Sequence, residues 1–325
     1  MPSLKITSVS SPLNAAFGIS RGSKTSAETI LVELADGDHV GRGECVPYGR
    51  YGETIESVTD QIISINSFIE SRGSRQDLQN EFPPGAARCA VDCAMWDLEA
   101  KQRKTPVWRL AGLPKPAPLP TTMTLSLASP DEMASAAKAT PAKILKLKLG
   151  GPEDLTRMEA VHRARPDARL IVDGNEGLDP GEFSALARAA GALGTVLIEQ
   201  PFPANDDNAL LARPVGVAIC ADESVHTFDD IQALAKKYDA VNIKLDKAGG
   251  LTEALRMVHE ARQCGLGVMI GCMVAGSLSM APAVLLGGLA DLVDLDGPLW
   301  LAKDIENGLR YKDGMVSPPM RKLWG

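Results

Sequence analysis

The chain has 325 residues, a formal net charge of −7, a pI near 5.3 and 45% hydrophobic residues. This length and composition are those of a globular protein with room for one large domain and a smaller one, which excludes disordered and fibrous proteins. The acidic balance, without a block of Lys and Arg, argues against nucleic-acid and lipid binding and favours a small-molecule partner.

The first residues, MPSLKITSVS, lack the basic and apolar stretches of a secretory signal, and no uncharged apolar run reaches the length of a membrane span. We therefore expect a cytoplasmic protein. The cysteines are scattered without the spacing of metal ligands, so we expect buried, reduced thiols. They are Cys45, Cys89, Cys93, Cys220, Cys264 and Cys272.

The N-terminal third of the chain predicts a small α+β unit. Runs at Lys5–Val9, Glu28–Glu33 and His39–Glu44 are rich in β-formers and are separated by Ser, Gly and Asp, which predicts an antiparallel meander. Two helices are predicted to follow, at Thr54–Ser71 and Ala86–Lys101, each with an apolar stripe facing a core. We expect these elements to form a separate domain over residues 1–117.

A change of pattern marks the start of a second domain. The stretch PKPAPLP interrupts the helical pattern at residues 114–120, and short apolar runs then alternate with helix-length segments up to about Leu301. This alternation predicts βα units around a parallel sheet over residues 118–302. We expect the tail, residues 303–325, to pack back on the first domain.

Polar residues close the apolar runs at intervals of 22 to 28 residues. One unit of a (β/α)₈ barrel has that length, since eight units take roughly 250 residues. A barrel gathers its strand ends around one mouth, whereas an open doubly wound sheet, the alternative, needs no polar residue at nearly every strand end. We therefore predict a modified (β/α) barrel. The strand-end residues are Lys148, Asp173, Glu199, Asp222, Lys244, Cys272 and Asp296.

Three of these residues, Asp173, Glu199 and Asp222, end consecutive predicted strands. In a barrel their carboxylates would converge within reach of one ion, and oxygen ligands of this kind suit Mg²⁺. The alternative for each acid is a cap on the helix that follows it. Because all three directly follow apolar strands at matching spacing, a metal site is favoured.

Lysines are predicted on both sides of the same mouth. Lys146 and Lys148 share one face of their strand, and lysines are almost never fully buried unless they are paired. Asn242, Lys244 and Asp246 share a parity four units further round the ring, so that Lys148 and Lys244 would face each other. Burial and neighbouring cations can lower the pKa of a lysine until it serves as a general base. Two bases on opposite faces of one carbon could invert its configuration.

The ordered motifs KLKLGG, IVDGNEGL, LIEQP, ICADES and NIKLDKAGG resemble the muconate-lactonizing subgroup of the enolase superfamily. The resemblance covers essentially the whole chain and implies a (β/α) barrel with an α+β capping domain. It also implies one Mg²⁺ per subunit and proton transfer through an ene-diolate.

Carried over to this sequence, the resemblance implies that Asp173, Glu199 and Asp222 are Mg²⁺ ligands and that Lys148 and Lys244 are the two acid/base lysines. It gives Lys146 the role of a cation beside the substrate carboxylate. Asn175 and Asp246 are expected next to the ligands rather than on the metal. A divalent ion and Lys146 would stabilise the charge of the ene-diolate.

The eighth strand separates the reactions known in this subgroup. Asp294 and Asp296, in DLDGPLWL, share parity and resemble the Asp-x-Asp motif with which dipeptide epimerases hold a free ammonium group. Substrates of cycloisomerases and succinylbenzoate synthases have no such group, and two carboxylates would oppose them. The alternative for the pair is a helix cap or a salt bridge. Thr124 and the backbone of Cys272 resemble further contacts to the dipeptide.

The loops FGISRGSKT and ECVPYGRYGET resemble those of epimerases that act on L-Ala-D/L-Glu in murein peptide recycling. In those enzymes a basic residue, usually Arg, meets the glutamate side chain, and here Lys24 takes its place with a point charge instead of a bidentate fork. Arg21 and Arg50 are further candidates for this contact. Tyr48 and Tyr51 are expected either to cover the ligand or to pack the loop on the barrel.

Competing interpretations stay open at this point. They are another reaction of the same subgroup, a Schiff-base aldolase that uses an inward lysine, and a binding protein on a retired barrel. The predicted metal acids argue against the aldolase, and the filled catalytic positions argue against a binding protein. A homo-oligomer is only the general expectation for such a protein.

Overall fold

The computed structural model describes residues 2–212 and 216–325. It has two parts, an N-terminal domain of antiparallel strands and helices and a barrel of parallel strands. The predicted fold class is confirmed. None of the helices in the described ranges is long and apolar enough to cross a membrane.

The N-terminal domain starts with a three-stranded antiparallel meander in which β2 lies between β1 and β3. β1 and β2 are much longer than the predicted runs, and their pairing shifts register between Pro12 and Phe17. The strands are β1 (Ser3–Ile19), β2 (Gly22–Asp36) and β3 (His39–Cys45), and the helices are α1 (Ile55–Ser64), α2 (Asn66–Glu70), α3 (Arg75–Glu81), α4 (Ala86–Gln102) and α5 (Val107–Leu110).

The predicted helix Thr54–Ser71 is two helices. Thr54 caps α1 through a reciprocal pair of hydrogen bonds with Ser57, so the predicted start of the helix is correct. At Ile65 the amide bonds back to Ile62 O at 3.1 Å, a tightened last turn that separates α1 from α2.

The eight parallel strands found among the described residues follow one another around the barrel in chain order. The strands are β5 (Met123–Leu125), β6 (Ile144–Lys148), β7 (Arg169–Asp173), β8 (Thr195–Glu199), β9 (Ala218–Ala221), β10 (Ala240–Ile243), β11 (Gly267–Ile270) and β12 (Leu292–Val293). The helices of this part are α6 (Pro130–Ala139), α7 (Asp154–Ala164), α8 (Phe183–Ala192), α9 (Phe228–Leu234), α10 (Leu245–Ala248), α11 (Leu251–Gln263) and α12 (Ser277–Leu286).

The first and last strands meet and close the ring. Thr122 N donates to Val293 O at 2.9 Å, and Thr124 N donates to the Asp296 carboxylate at 2.6 Å. A small antiparallel sheet of β4 (Leu119–Pro120), β13 (Tyr311–Lys312) and β14 (Met315–Val316) lies beside this seam. Tyr311 Oη donates to Leu295 O at 2.6 Å, which ties that sheet to the end of the eighth strand.

The last residues of the chain lie against the N-terminal domain. Trp324 Nε1 donates to Cys93 O at 3.1 Å, and Gly325 N donates to Asp97 Oδ1 at 2.8 Å. The division into residues 1–117, 118–302 and a returning tail stays a prediction. All six cysteines are free thiols, but Cys264 and Cys272 are half-buried, so the expectation of burial holds only for the other four.

Candidate active site

The inner face of the barrel has an apolar floor to which seven strands contribute one residue each. Side chains alternate along a strand, so the residue two positions later points the same way and lies one layer nearer the mouth. That layer carries charged and polar side chains, whereas the floor is apolar. The floor residues are Ile144, Ile171, Leu197, Cys220, Ala240, Met269 and Leu292. The layer above them is Lys146, Asp173, Glu199, Asp222, Asn242, Gly271 and Asp294.

Lys146 is the hub of the layer. Its ammonium lies 2.7 Å from Glu199 Oε2, 2.8 Å from Asp294 Oδ2 and 3.1 Å from Asp173 Oδ2, and the side chain is only 2% exposed. Burial alone would lower the pKa of Lys146, but the carboxylates of Asp294, Glu199 and Asp173 outweigh burial and raise it. Its three carboxylate partners hold Lys146 as a cation, and Asp222 likewise raises the pKa of Lys244 despite burial.

Lys148 and Lys244 belong to the second and sixth strand positions of the ring, which lie opposite each other. Lys148 Nζ lies 2.6 Å from Asp173 Oδ2, and Lys244 Nζ lies 2.7 Å from Asp222 Oδ2. Both side chains line one cavity of about 420 Å³ at the mouth. The ring of Phe17, from the capping domain, lies 5.9 Å from Lys148 Nζ.

The three acids predicted to bind metal are fully buried and crowded together. Burial and the neighbouring carboxylate of Asp173 raise the pKa of Glu199 to about 8. For Asp173 and Asp222 burial acts in the same sense, but their lysine partners outweigh it and lower both pKa values. Such a cluster is stable only when cations balance it.

The donor set fits a hard divalent cation. Asp173, Glu199 and Asp222 lie at the ends of three neighbouring strands, and Glu223 Oε2 and Asn175 Oδ1 are buried oxygens without a hydrogen-bond partner. In the ranges 2–212 and 216–325, no three acidic or metal-binding side chains yet converge on one point. Lysine ammonium groups lie within salt-bridge distance of one oxygen of each of the three acids instead.

Asp294 and Asp296 face the cavity from the last strand, as their shared parity predicts. Asp294 is paired with Lys146, and its other oxygen accepts from the Thr122 hydroxyl. Asp296 accepts from Thr124 N at 2.6 Å and from Trp300 Nε1 at 3.4 Å. Burial and the neighbouring Asp294 raise the pKa of Asp296 to about 6. Asp296 is thus the carboxylate of the pair that best suits an added cation.

Lys24, Cys272 and Thr124 line the same cavity. Burial, together with the positive charges of Lys148 and Lys244, lowers the pKa of Lys24. A half-buried lysine with a lowered pKa gains from an anionic partner brought by a ligand.

The other two basic candidates for a ligand carboxylate already have acidic partners. Arg21 bonds to Glu223 at 2.7 Å and to Glu176 at 3.2 Å, and Arg50 forms a bidentate pair with Glu176, both bonds being 2.8 Å. They fasten the capping loops to the barrel instead. Tyr48 and Tyr51 line the cavity and contact each other, with ring centroids 5.4 Å apart, so the loop both covers the cavity and packs.

Asn175 lies beside the acids, since its backbone N donates to Asp173 Oδ1 at 3.0 Å. Asp246 does not. Its carboxylate turns to the capping domain and accepts from Val46 N at 2.8 Å. The strand-parity argument ends at Lys244, because Leu245 begins α10 and side chains no longer alternate.

Three polar residues of the site carried no functional prediction. Asn242 Nδ2 donates to Glu199 Oε1 at 2.8 Å, and its parity with Lys244 was a usable signal. Lys247 Nζ lies 2.6 Å from Asp222 Oδ1, brought there by one helical turn after Lys244. Glu223 reaches the cavity because β9 ends at Ala221 and the chain turns.

The mouth of the barrel combines opposed lysines, a buried acid cluster and a third lysine that bridges the acids, an arrangement that could move a proton at a carbon next to a carboxylate. Residues 130–322 match the family model of the enolase C-terminal domain, and residues 1–112 match the N-terminal domain of mandelate racemase and muconate lactonizing enzyme. The chain belongs to the enolase superfamily, as the sequence motifs indicate.

Two curated relatives span nearly the whole chain. It is 42% identical over 317 residues to an L-Ala-D/L-Glu epimerase of Escherichia coli, covering 97% of this chain and 99% of the relative. It is also 42% identical over 301 residues to an N-acetyl-D-glutamate racemase of a Pseudoalteromonas species, covering 91% and 95%. Because these relatives are an epimerase and a racemase, the predicted enzyme class, an isomerase, is confirmed.

A crystal structure from Agrobacterium tumefaciens has a TM-score of 0.98 and 45% identity to this chain, with full coverage of both. It is an enolase family member with homology to dipeptide epimerases, and it holds sodium and L-Ala-L-Glu with an ordered loop.

Proposed function

We propose that this chain epimerises a dipeptide at the α-carbon of its C-terminal residue, with L-Ala-D-Glu and L-Ala-L-Glu as substrates, by transfer of the α-proton between Lys148 and Lys244. The observation that carries the proposal is the pair of lysines on opposite sides of a cavity that also contains Asp296 and Lys24. Two bases on opposite faces of one carbon can remove a proton from one side and return a proton to the other.

The same residues account for the two ends of the substrate. Asp294 and Asp296 receive the free ammonium group, while Lys24 receives the glutamate side-chain carboxylate. Lys146, a fixed cation between the two lysines and the acids, balances the charge that the α-carboxylate gains as the proton leaves. Turnover of murein peptides in the cytoplasm is the setting that this substrate chemistry fits.

Asp173, Glu199 and Asp222 would hold one Mg²⁺ per subunit. Members of this superfamily bind Mg²⁺, and the related crystal structure holds a cation together with its dipeptide. Bound there, the ion would stabilise the negative charge that develops on the substrate carboxylate.

Proton NMR of L-Ala-L-Glu with the enzyme in D₂O and Mg²⁺ tests the reaction and the metal together. We expect the Glu α-proton signal to disappear as the L,D epimer appears, because each turnover returns a deuteron from a lysine. EDTA should stop both, and added Mg²⁺ should restore both. Exchange that continues unchanged in EDTA would overturn the metal assignment, and absence of exchange would overturn the reaction.

Lys24 predicts a characteristic pH dependence. Its charged form binds the side-chain carboxylate, and its lowered pKa means that this charge is lost at a lower pH than for an ordinary lysine. The ratio of kcat/KM for L-Ala-L-Glu to that for L-Ala-L-Gln should therefore fall as the pH rises through this lowered pKa. In Lys24→Arg, which stays charged, the ratio should be flat over the same range. If the pH profile of this ratio is the same in Lys24→Arg as in the wild type, Lys24 does not contact the side-chain carboxylate.

A second candidate, racemisation of an N-acylated glutamate, is favoured by the equally similar racemase. It uses the same lysines and differs at the amino end, where the acylated substrate carries no charge. The substitution Asp296→Asn distinguishes these two candidate functions.

A further inference from the structure

Asp246 has no contact of its own with the acid cluster, yet it lies two residues from Lys244 and is only 5% exposed. Its carboxylate accepts a hydrogen bond from Val46 N at 2.8 Å, across the junction of the two domains. Val46 follows β3 directly and starts the segment 46–51, in which Tyr48 and Tyr51 line the cavity. Asp246 thus joins the segment that covers the cavity to the turn that carries Lys244.

The turn itself needs support from outside. α10 is four residues long, with Lys244 at its N-cap, and a single helical turn is unstable by itself. Its C-terminal carbonyls are held by the capping domain, since Arg88 donates to Ala248 O at 2.7 Å and to Gly249 O at 3.3 Å. On the barrel side Lys247 is paired with Asp222. Asp246 supplies the support nearest to Lys244.

The packing leaves α10 little freedom. Gly249 and Gly250 have φ angles of +84° and +113°, and a Cβ at either would lie 2.4 Å from Arg88 or Asp92 of α4. Asp92 in turn accepts from Thr252 N at 3.0 Å and from the Thr252 hydroxyl at 2.6 Å. The backbone after Lys244 is therefore fitted closely to the capping domain.

We propose that Asp246 is a positioning residue that holds Lys244 in place relative to Lys148 by fixing α10 to the backbone of Val46. The inference rests on the proposed two-lysine reaction and adds a cause for the placement of one of its bases. Loss of the bond should affect proton transfer on the Lys244 face and leave the Lys148 face working.

The two faces can be told apart in D₂O. For the stereoisomer whose α-proton faces Lys148, that lysine removes the proton, exchanges it with solvent and returns a deuteron to the same face. This isomer therefore exchanges without inverting when Lys244 is displaced. The opposite isomer, whose α-proton faces Lys244, loses exchange and inversion together.

In Asp246→Ala we expect epimerisation to fall roughly 10- to 100-fold, since a displacement of about 1 Å can cost that much. For the isomer whose α-proton faces Lys148, and for that isomer only, the ratio of the exchange rate to the epimerisation rate should rise about tenfold or more. The rise should match the factor by which epimerisation falls. Asp246→Asn keeps an oxygen that can accept from Val46 N and should restore both quantities. If Asp246→Ala does not fold, Asp246→Ser, too short to reach Val46, provides the same comparison.

Glu44→Ala is the matched control. Glu44 is a half-buried acid of the capping domain that accepts from a barrel amide, Ser279 N at 3.0 Å, and this bond supports α12 rather than α10. Loss of this bond in Glu44→Ala should slow the reaction of both isomers by the same factor. An equal loss for both isomers in Asp246→Ala, or the same asymmetry in Glu44→Ala, would overturn the positioning role, whereas a wild-type enzyme without epimerisation would instead overturn the proposed function.

Discussion

Lys148→Ala should lower epimerisation of L-Ala-L-Glu by roughly 10³-fold, because a positioned acid/base group contributes about 10²- to 10⁴-fold. Lys244→Ala should have an effect of the same size. The variants should differ in D₂O, where each retains α-proton exchange for the isomer that faces its remaining lysine. This assigns each isomer to one face of the cavity, which the test of Asp246 requires.

Lys143→Ala is the control for these variants. Lys143 comes just before β6, but its side chain is 72% exposed and is paired with Asp167 on the outside of the barrel. Its replacement should leave activity unchanged. Full epimerisation in either Lys148→Ala or Lys244→Ala would contradict the two-base reaction.

Asp296→Asn is the second substitution with a large expected effect. Asparagine keeps the shape and the acceptor for Thr124 N but removes the charge that would face the substrate ammonium group. Removing one partner of a buried charge pair costs about 2–5 kcal/mol, so kcat/KM for L-Ala-L-Glu should fall by roughly 30- to 5,000-fold. The fall should appear mainly in KM if the contact binds substrate and transition state equally.

The same variant compares the two candidate functions. N-acetylglutamate carries no ammonium group, so its turnover should be unaffected or improved in Asp296→Asn. Wild-type activity that is higher on N-acetylglutamate than on L-Ala-L-Glu, and that Asp296→Asn retains, would favour the racemase. Asp296 is preferable to Asp294 for this test, because Asp294 also balances Lys146.

The sequence predicted those parts of the site that periodicity controls. Strand alternation correctly placed Lys146, Lys148, Asp294 and Asp296 on the inner face, and the spacing of the polar strand ends correctly predicted a barrel. These predictions succeed because a strand has only two faces, and the face that carries the floor residues is the inner one.

Periodicity failed where strands end. Asp246 follows the start of α10 and turns to the capping domain, while Glu223 and Lys247 enter the site through turns whose conformation the sequence pattern does not contain. The pairing of Arg21 and Arg50 with Glu176 is of the same kind, because it joins three loops that are distant in the sequence. Tertiary contacts set these positions, so local rules cannot predict them.

The apolar floor and the charged layer above it lie on the same strands, one step of two residues apart. A slip of one residue in the pairing of β6 would turn Leu147 toward the mouth and both Lys146 and Lys148 toward the surrounding helices. Molecules with that slip would lack a base and the central cation at once. A chain with this slip would therefore be inactive as a whole molecule, not merely slower.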